Sequence, residues 1–229
     1  MKIVFLNVWG DNARDELIPY LEEQALDTDV FCFQEASEKF KQRSAKALAG
    51  YYEISDYKYI NELDFFPQSI FIKNGIKLVS SGALAADDMN VGLVVYAELE
   101  VNNTHLFICN VHGMARPGEK LDTPDRLRFS TNLIDFFKDK NTPIVIGGDF
   151  NLEPTTKSIT TFEANNYRDL IKDFGIETTR NHFAWDRYPD SKLYHSDYVF
   201  LNNKIHLKDF IVENNEISDH LPMIVEIVV

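Results

Sequence analysis

Positive charge is scarce in this chain. Its 229 residues carry 23 Lys and Arg against 36 Asp and Glu, a formal net charge of −13. A surface this acidic repels polyanions and lacks the basic stripe that grips a long duplex, so anions are held only in local pockets. Arg116, Lys120, Arg126, Arg128 and Arg180 are the scattered local positives. Cysteine is nearly missing as well. Cys32 and Cys109 both lie in apolar, strand-like segments, which excludes a disulfide framework and fits buried thiols. No cysteine spacing and no pair of histidines four residues apart supplies the usual zinc ligands. No apolar run approaches the ~20 residues of a membrane span, and the stretch Met1 to Asn7 turns polar too soon for a signal peptide. A cytoplasmic protein without a membrane span is expected. No repeat, low-complexity tract or linker-like charge block divides the chain. One domain over residues 1–229 is therefore expected, and no protein partner is indicated.

Apolar material, by contrast, is ample: 45% of residues are hydrophobic, with 17 Phe and 10 Tyr. Strand-like segments recur at 2–8, 29–34, 68–73, 91–101, 104–111, 143–148, 194–201, 205–213 and 221–229. Asn102 and Asn103 tolerate positive φ and predict a hairpin between two of them. Helix signals fall in between. Leu17, Leu21 and Ala25 recur at four-residue spacing, Ser37 is a candidate N-cap for a helix reaching Leu48, and residues 155–165 form another. Thr123 and Pro124 make an N-cap and N1 pair for a helix carrying Leu127, Ile134 and Phe137. Helices inserted among many strands, some in adjacent hairpins, predict α/β architecture with mixed sheets and helices outside. Segment 166–193 is polar and irregular, and reads as a long loop over a functional edge.

The chemistry sits at the strand ends. Asp149 and Asn151 are two apart after the apolar run 143–147, so both side chains face one way. Asp219 and His220 immediately precede the last strand-like run. Asn7, Glu35, His112 and Asp197 likewise lie at or near strand ends. An isolated strand-end Asp or Asn is more often a turn residue than a catalyst. Six or more at strand ends are not easily accidental. Their carboxylate and amide oxygens are hard ligands suited to Mg²⁺, with Mn²⁺ as a substitute. Glu35 is the first choice of ligand, with Asn7 and Asp219 completing or supporting the site. Asp197 and His220 can pair so that an imidazolium meets a phosphate oxygen. Asp149 can orient or deprotonate a water, with Asn151 fixing that water or the phosphate.

The ordered set Leu6-Asn7-Val8-Trp9, Phe33-Gln34-Glu35, Asn110-Val111-His112, Gly148-Asp149-Phe150-Asn151, Ser196-Asp197-Tyr198 and Ser218-Asp219-His220 resembles the endonuclease/exonuclease/phosphatase superfamily. Deoxyribonuclease I, abasic-site endonucleases, neutral sphingomyelinases and inositol polyphosphate 5-phosphatases belong to it. The resemblance runs from residue 3 to residue 225. It implies a four-layer α/β sandwich, two mixed sheets packed face to face, and Mg²⁺-dependent phosphoester hydrolysis. By motif, Glu35 corresponds to the principal metal ligand with Asn7 beside it, and Asp219 to a further carboxylate on the metal side. His112 corresponds to a residue facing the phosphate or leaving group, Asp149 to the water-activating acid, and Asn151 to its neighbour at the phosphate. Asp197 and His220 correspond to the acid–imidazole pair. The chain departs from the abasic-site endonucleases at Trp9, where they carry an acid, and its length leaves little room for long DNA-gripping loops.

The function expected is a metal-dependent phosphodiesterase of nuclease type, acting on nucleic acid or a small phosphorylated molecule. A phosphatase acting on a small metabolite or lipid headgroup is the alternative. A non-catalytic binding module on the same fold ranks last, because every core acid and the histidine are present. Arg180, His182, Trp185 and Tyr188 either reach the site edge or pin a long loop to the core, the latter being favoured.

Overall fold

The computed structural model describes residues 1–61, 64–187, 189–190 and 192–229. The chain opens with β1 (Lys2–Asn7), α1 (Leu17–Gln24), β2 (Val30–Gln34) and α2 (Glu38–Ser44). Five strands follow without an α-helix between them: β3 (Tyr51–Asn61), β4 (Asp64–Lys73), β5 (Lys77–Leu84), β6 (Leu93–Val101) and β7 (Thr104–His112). Next come α3 (Pro124–Phe137), β8 (Ile144–Asp149), α4 (Lys157–Ala164), β9 (Tyr167–Asp169), α5 (Leu170–Asp173) and α6 (His182–Arg187). The last strands are β10 (Asp197–Asn202), β11 (His206–Val212) and β12 (Met223–Val228).

Two six-stranded sheets result, ordered β11-β12-β1-β2-β4-β3 and β5-β6-β7-β8-β10-β9. Both are mixed: β1 runs parallel to β2 and β7 parallel to β8, while the other neighbours are antiparallel. The sheets pack face to face. Ile3, Phe5, Cys32, Ile70 and Ile72 of the first share one core with Leu93, Ile108 and Val145 of the second. The approach is close at Gly147, where an added Cβ would lie 2.8 Å from the Phe5 ring. Helices cover the outer faces. Leu17 and Leu21 of α1 and Phe40 of α2 pack on Val4, Leu6, Phe31 and Phe33. Phe129, Leu133 and Phe137 of α3, with Ile159 and Phe162 of α4, join the core on the other side. Each such buried Leu or Phe stabilises the fold by roughly 1.5–3 kcal/mol.

Local signals account for most of these elements. The Ser37 hydroxyl accepts the Phe40 N–H at 3.2 Å, and Thr123 accepts the Arg126 N–H at 3.1 Å with Pro124 in the first turn. The hairpin joining β6 and β7 turns at Asn102 and Asn103, with φ of 51° and 62°. Three strands, β3, β5 and β9, fall outside the sequence expectation. All three are sheet edges, with exposed positions that dilute the apolar pattern. Segment 166–193 is not a long loop, because it contains β9, α5 and α6. In α3 the buried stripe is Arg126, Phe129, Ser130, Leu133, Ile134 and Phe137, so Leu127 falls at its border and is 36% exposed. No helix among the described residues is long and apolar enough to cross a membrane.

Candidate active site

One edge of the sandwich collects the polar residues. In register, Asn7 ends β1 beside Gln34 of β2, and His112 ends β7 beside Asp149 of β8. Asp197 opens β10 opposite Asp149. Asp219 and His220 lie in the short segment before β12, and the Ser218 hydroxyl ties that segment to the Asn7 carbonyl at 2.7 Å. Parallel pairing of β1 with β2 and of β7 with β8 thus sends four strand ends to the same place.

Asp149 is at the centre. Its carboxylate accepts the Asn7 amide at 3.1 Å and the Asn151 backbone N–H at 2.9 Å. The Nε2 atoms of His112 and His220 stand 3.9 and 3.8 Å from its Oδ2. Asn7 Nδ2 also donates to Glu35 at 3.0 Å, so two carboxylates converge on one point. Glu35 and Asn151 both occupy left-handed backbone conformations, with φ of 56° and 55°. Non-glycine residues rarely adopt that region, and when they do they cluster at functional sites.

The Asp197–His220 pair forms as expected. His220 Nδ1 is 2.9 Å from Asp197 Oδ1, and Asp197 also accepts the hydroxyls of Thr179 and Ser196, each at 2.8 Å. Burial and the nearby Arg180 push the His220 imidazole down, yet Asp197, Asp219 and Asp149 together outweigh them and raise it to about 9. His112 goes the other way. Burial dominates there and holds it below the ordinary histidine value despite Asp149 and Glu35. At neutral pH one histidine is therefore an imidazolium and the other a neutral ring, packed edge-on against Phe66 at 4.9 Å. Burial would raise Asp149, but His220, His112, Lys120 and Arg180 reverse this and keep it an ionised carboxylate.

Asp149, Asp197 and His220 place ligand atoms within 4.8 Å of one another. A ligating imidazole must be neutral, so a charged His220 bonded to Asp197 fits an anion better than a cation. Asp219 commits one oxygen to Arg180 at 2.9 Å, which leaves it less free as a ligand than Glu35.

Two cations at this edge carry no recognisable sequence pattern. Arg180 bridges Asp219 and the Ser196 hydroxyl. Lys120, together with Arg126, is buried rather than a scattered surface positive. The Lys120 ammonium bonds Asn151 Oδ1 and donates to Ala115 O at 2.9 Å. Burial lowers its pKa to about 8. Gln34 and Asn110 were legible only as neighbours of Glu35 and His112, but they form a buried bridge between the sheets. Gln34 Nε2 donates to Asn110 Oδ1 at 2.5 Å, and Asn110 Nδ2 donates to Phe33 O at 2.9 Å and Ser69 O at 3.2 Å. Trp185 donates to Leu193 O at 3.0 Å and its ring meets Tyr194, so it pins its own segment. His182 packs on Phe183, which in turn stacks on Trp9. Tyr188 lies outside the described residues.

The fold is shared with solved structures. An endonuclease/exonuclease/phosphatase family protein from Bacteroides thetaiotaomicron superposes with a TM-score of 0.77 at 18% identity, covering 99% of this chain and 97% of that one. A mannosyl-6-phosphatase from the same organism gives 0.74 at 19% identity with all of both chains covered. The human Nocturnin catalytic domain, with a bound sulfate anion, gives 0.74 at 18%, covering 100% of this chain and 94% of that one. No curated protein matches the chain by sequence. The family match runs over residues 4–220, from β1 through the Asp197–His220 pair. The chain belongs to the endonuclease/exonuclease/phosphatase family and is a metal-dependent phosphoester hydrolase.

Proposed function

We propose that the chain hydrolyses a phosphoester of a small phosphorylated molecule by in-line attack of water. The observation that carries this is the Asp149 carboxylate, held between Asn7, Asn151 and two histidines of opposite charge state. The convergence of Glu35 and Asp149 on the Asn7 amide fits a divalent cation, since both demand a positive partner at that point. Glu35 would hold it, with Asp219 supporting from its pairing with Arg180. Asn7, whose amide nitrogen faces Glu35 and Asp149 while its oxygen takes the Trp9 N–H, would join only through that oxygen with the amide turned over. Hard oxygen donors favour Mg²⁺, with Mn²⁺ as substitute. When bound, the cation neutralises charge developing on the phosphoryl oxygens.

The protein's own groups supply the rest. Asp149, ionised and buried, accepts a proton or hydrogen bond from the attacking water and fixes its direction. The His220 imidazolium, held in one orientation by Asp197, donates Nε2–H to a phosphoryl oxygen and stabilises it as charge grows. Neutral His112 faces the same carboxylate and can bond the phosphate or the leaving group. The −13 net charge disfavours a long polyanion and supports a small substrate.

The test is hydrolysis of p-nitrophenyl phosphate and bis(p-nitrophenyl) phosphate with Mg²⁺, Mn²⁺ or EDTA, beside Asp149→Asn. Turnover should require the metal and fall at least ~10²–10³-fold in the variant. Turnover that survives EDTA, or a variant as fast as wild type, overturns the reading. Activity on DNA or RNA that falls steeply with salt would replace the small substrate with nucleic acid.

A further inference from the structure

Not every buried cation near the active edge has a carboxylate in contact. Among the described residues Arg126 donates to three backbone carbonyls and Lys120 to two uncharged oxygens. Of the two, Lys120 is the one that touches a site residue, Asn151. His220 is paired with Asp197 at 2.9 Å and Arg180 with Asp219 at 2.9 Å. Lys120 is 9% exposed, and among the described residues its ammonium has only two acceptors, Ala115 O and Asn151 Oδ1. Neither is charged. An ammonium carries three N–H donors, so one remains, on a positive charge within the field of Asp149. Burying a charge without a counter-charge is costly, so an anion at this point would supply both a missing acceptor and a counter-charge.

The surroundings hold this ammonium in place. Lys120 has φ of 56°, and its carbonyl accepts the Glu153 N–H at 2.8 Å. The buried Arg126 guanidinium binds three carbonyls of the same segment: Leu121 and Pro117 at 2.7 Å and Met114 at 3.0 Å. Asp122 fastens the segment's other end to the start of α4, accepting the backbone N–H groups of Lys157 at 2.6 Å and Ser158 at 2.9 Å. Two buried basic side chains and an acid are thus committed to one loop, whose effect is to set Lys120 against Asn151. The contact also fixes the Asn151 amide. Its oxygen takes the ammonium, one N–H goes to Gly113 O at 3.0 Å, and the second N–H is left for a ligand.

We propose that Lys120 is a specificity-determining residue, binding the third non-bridging oxygen of a terminal phosphoryl group. A phosphodiester has two non-bridging oxygens, which a cation held by Glu35 and the donors His220 and Asn151 would serve. A phosphomonoester has a third oxygen and a second negative charge, and Lys120 supplies both the donor and the counter-charge. The inference rests on the hydrolytic reading above and narrows it to phosphomonoesters of small molecules.

Two readouts separate the claims. In the first, inorganic phosphate is titrated calorimetrically into metal-free protein with EDTA present. Lys120→Met and the hydrogen-bonding Lys120→Gln should each weaken binding about 10- to 100-fold, as loss of a charge-assisted hydrogen bond does, while Lys120→Arg restores most of it. Gln reads the loss of charge even where Met impairs folding. In the second, kcat and KM are measured on p-nitrophenyl phosphate and bis(p-nitrophenyl) phosphate. The monoester should lose at least ~10-fold more kcat/KM than the diester, chiefly through KM. Phosphate affinity unchanged by loss of the charge, no phosphate binding by wild type, or equal losses on both esters overturns the assignment. A wild type inert to both esters whose phosphate binding still depends on Lys120 upholds Lys120 and removes the hydrolytic reading instead.

Discussion

Asn110→Leu should destabilise the sandwich far more than a near-isosteric change normally does. The side chain is fully buried and makes three hydrogen bonds across the sheet interface: from Gln34 Nε2 at 2.5 Å, and to Phe33 O and Ser69 O at 2.9 and 3.2 Å. Leucine fills a similar volume and offers none of them. Three bonds at about 1–1.5 kcal/mol each give a loss of about 3–4.5 kcal/mol, with the stranded Gln34 amide as a further cost. Against a usual stability of about 5–15 kcal/mol this is a large fraction. For a chain of this size it corresponds to a fall in Tm of about 6–18 °C. The assay is urea denaturation of wild type, Asn110→Leu, Gln34→Leu and the double variant. Removing both partners should recover part of the loss, giving a coupling of about 1–3 kcal/mol. A single-variant loss under ~1 kcal/mol, or strict additivity, would refute the claim that this bridge ties the sheets together.

Further outcomes follow from buried charge and close approach. His220→Ala should lower kcat by at least ~10²-fold and, by stranding the Asp197 carboxylate, cost about 3–5 kcal/mol. Adding Asp197→Asn should return stability without returning turnover, as thermal melts beside ester hydrolysis will check. Asp169 caps α5 through the N–H groups of Ile171 and Lys172, and burial raises its pKa to about 6. Because the native carboxyl holds its proton up to about pH 6 while the unfolded one releases it near 4, ionisation costs stability progressively over that window. Asp169→Asn keeps a cap acceptor and should raise Tm at pH 7.5 but not at pH 3.5, and the reverse pattern would refute the assignment. At Gly113 an added Cβ would lie 2.2 Å from Phe150 O, so Gly113→Ala must shift the backbone beside Asp149 and Asn151. A loss of about 1–3 kcal/mol with at least ~10-fold lower kcat is expected, and wild-type turnover would count against a rigid site.

The layers and most of the core were legible because central strands announce themselves. Phe31-Cys32-Phe33 and Ile144-Val145-Ile146 are buried on both faces and read as continuous apolar runs. Tyr51 to Asn61 alternates exposed and half-buried residues along a sheet edge, so β3 offers no such run. At the candidate site, Asp149, Asn151, Asp197, His112 and His220 stand out in the sequence because each ends or lies near an apolar strand. The structure brings Asp197 and His220 to 2.9 Å of each other. Lys120 and Arg180 were visible only as isolated basic residues. Lys120 lies outside any regular element and Arg180 just before α6, so no period marks either side chain's direction. Only the fold around them decides that they point inward.

The polar edge draws its members from both sheets: Asn7 and Glu35 from one, His112, Asp149 and Asp197 from the other. Any ion or phosphate lodged there is therefore a rivet through two plates. Its binding energy holds the plates together, and a ligand at a hundred times its Kd would add about 2.7 kcal/mol of cohesion to the whole sandwich. Amide exchange should then slow in strands of both plates at once, far from any atom the ligand touches.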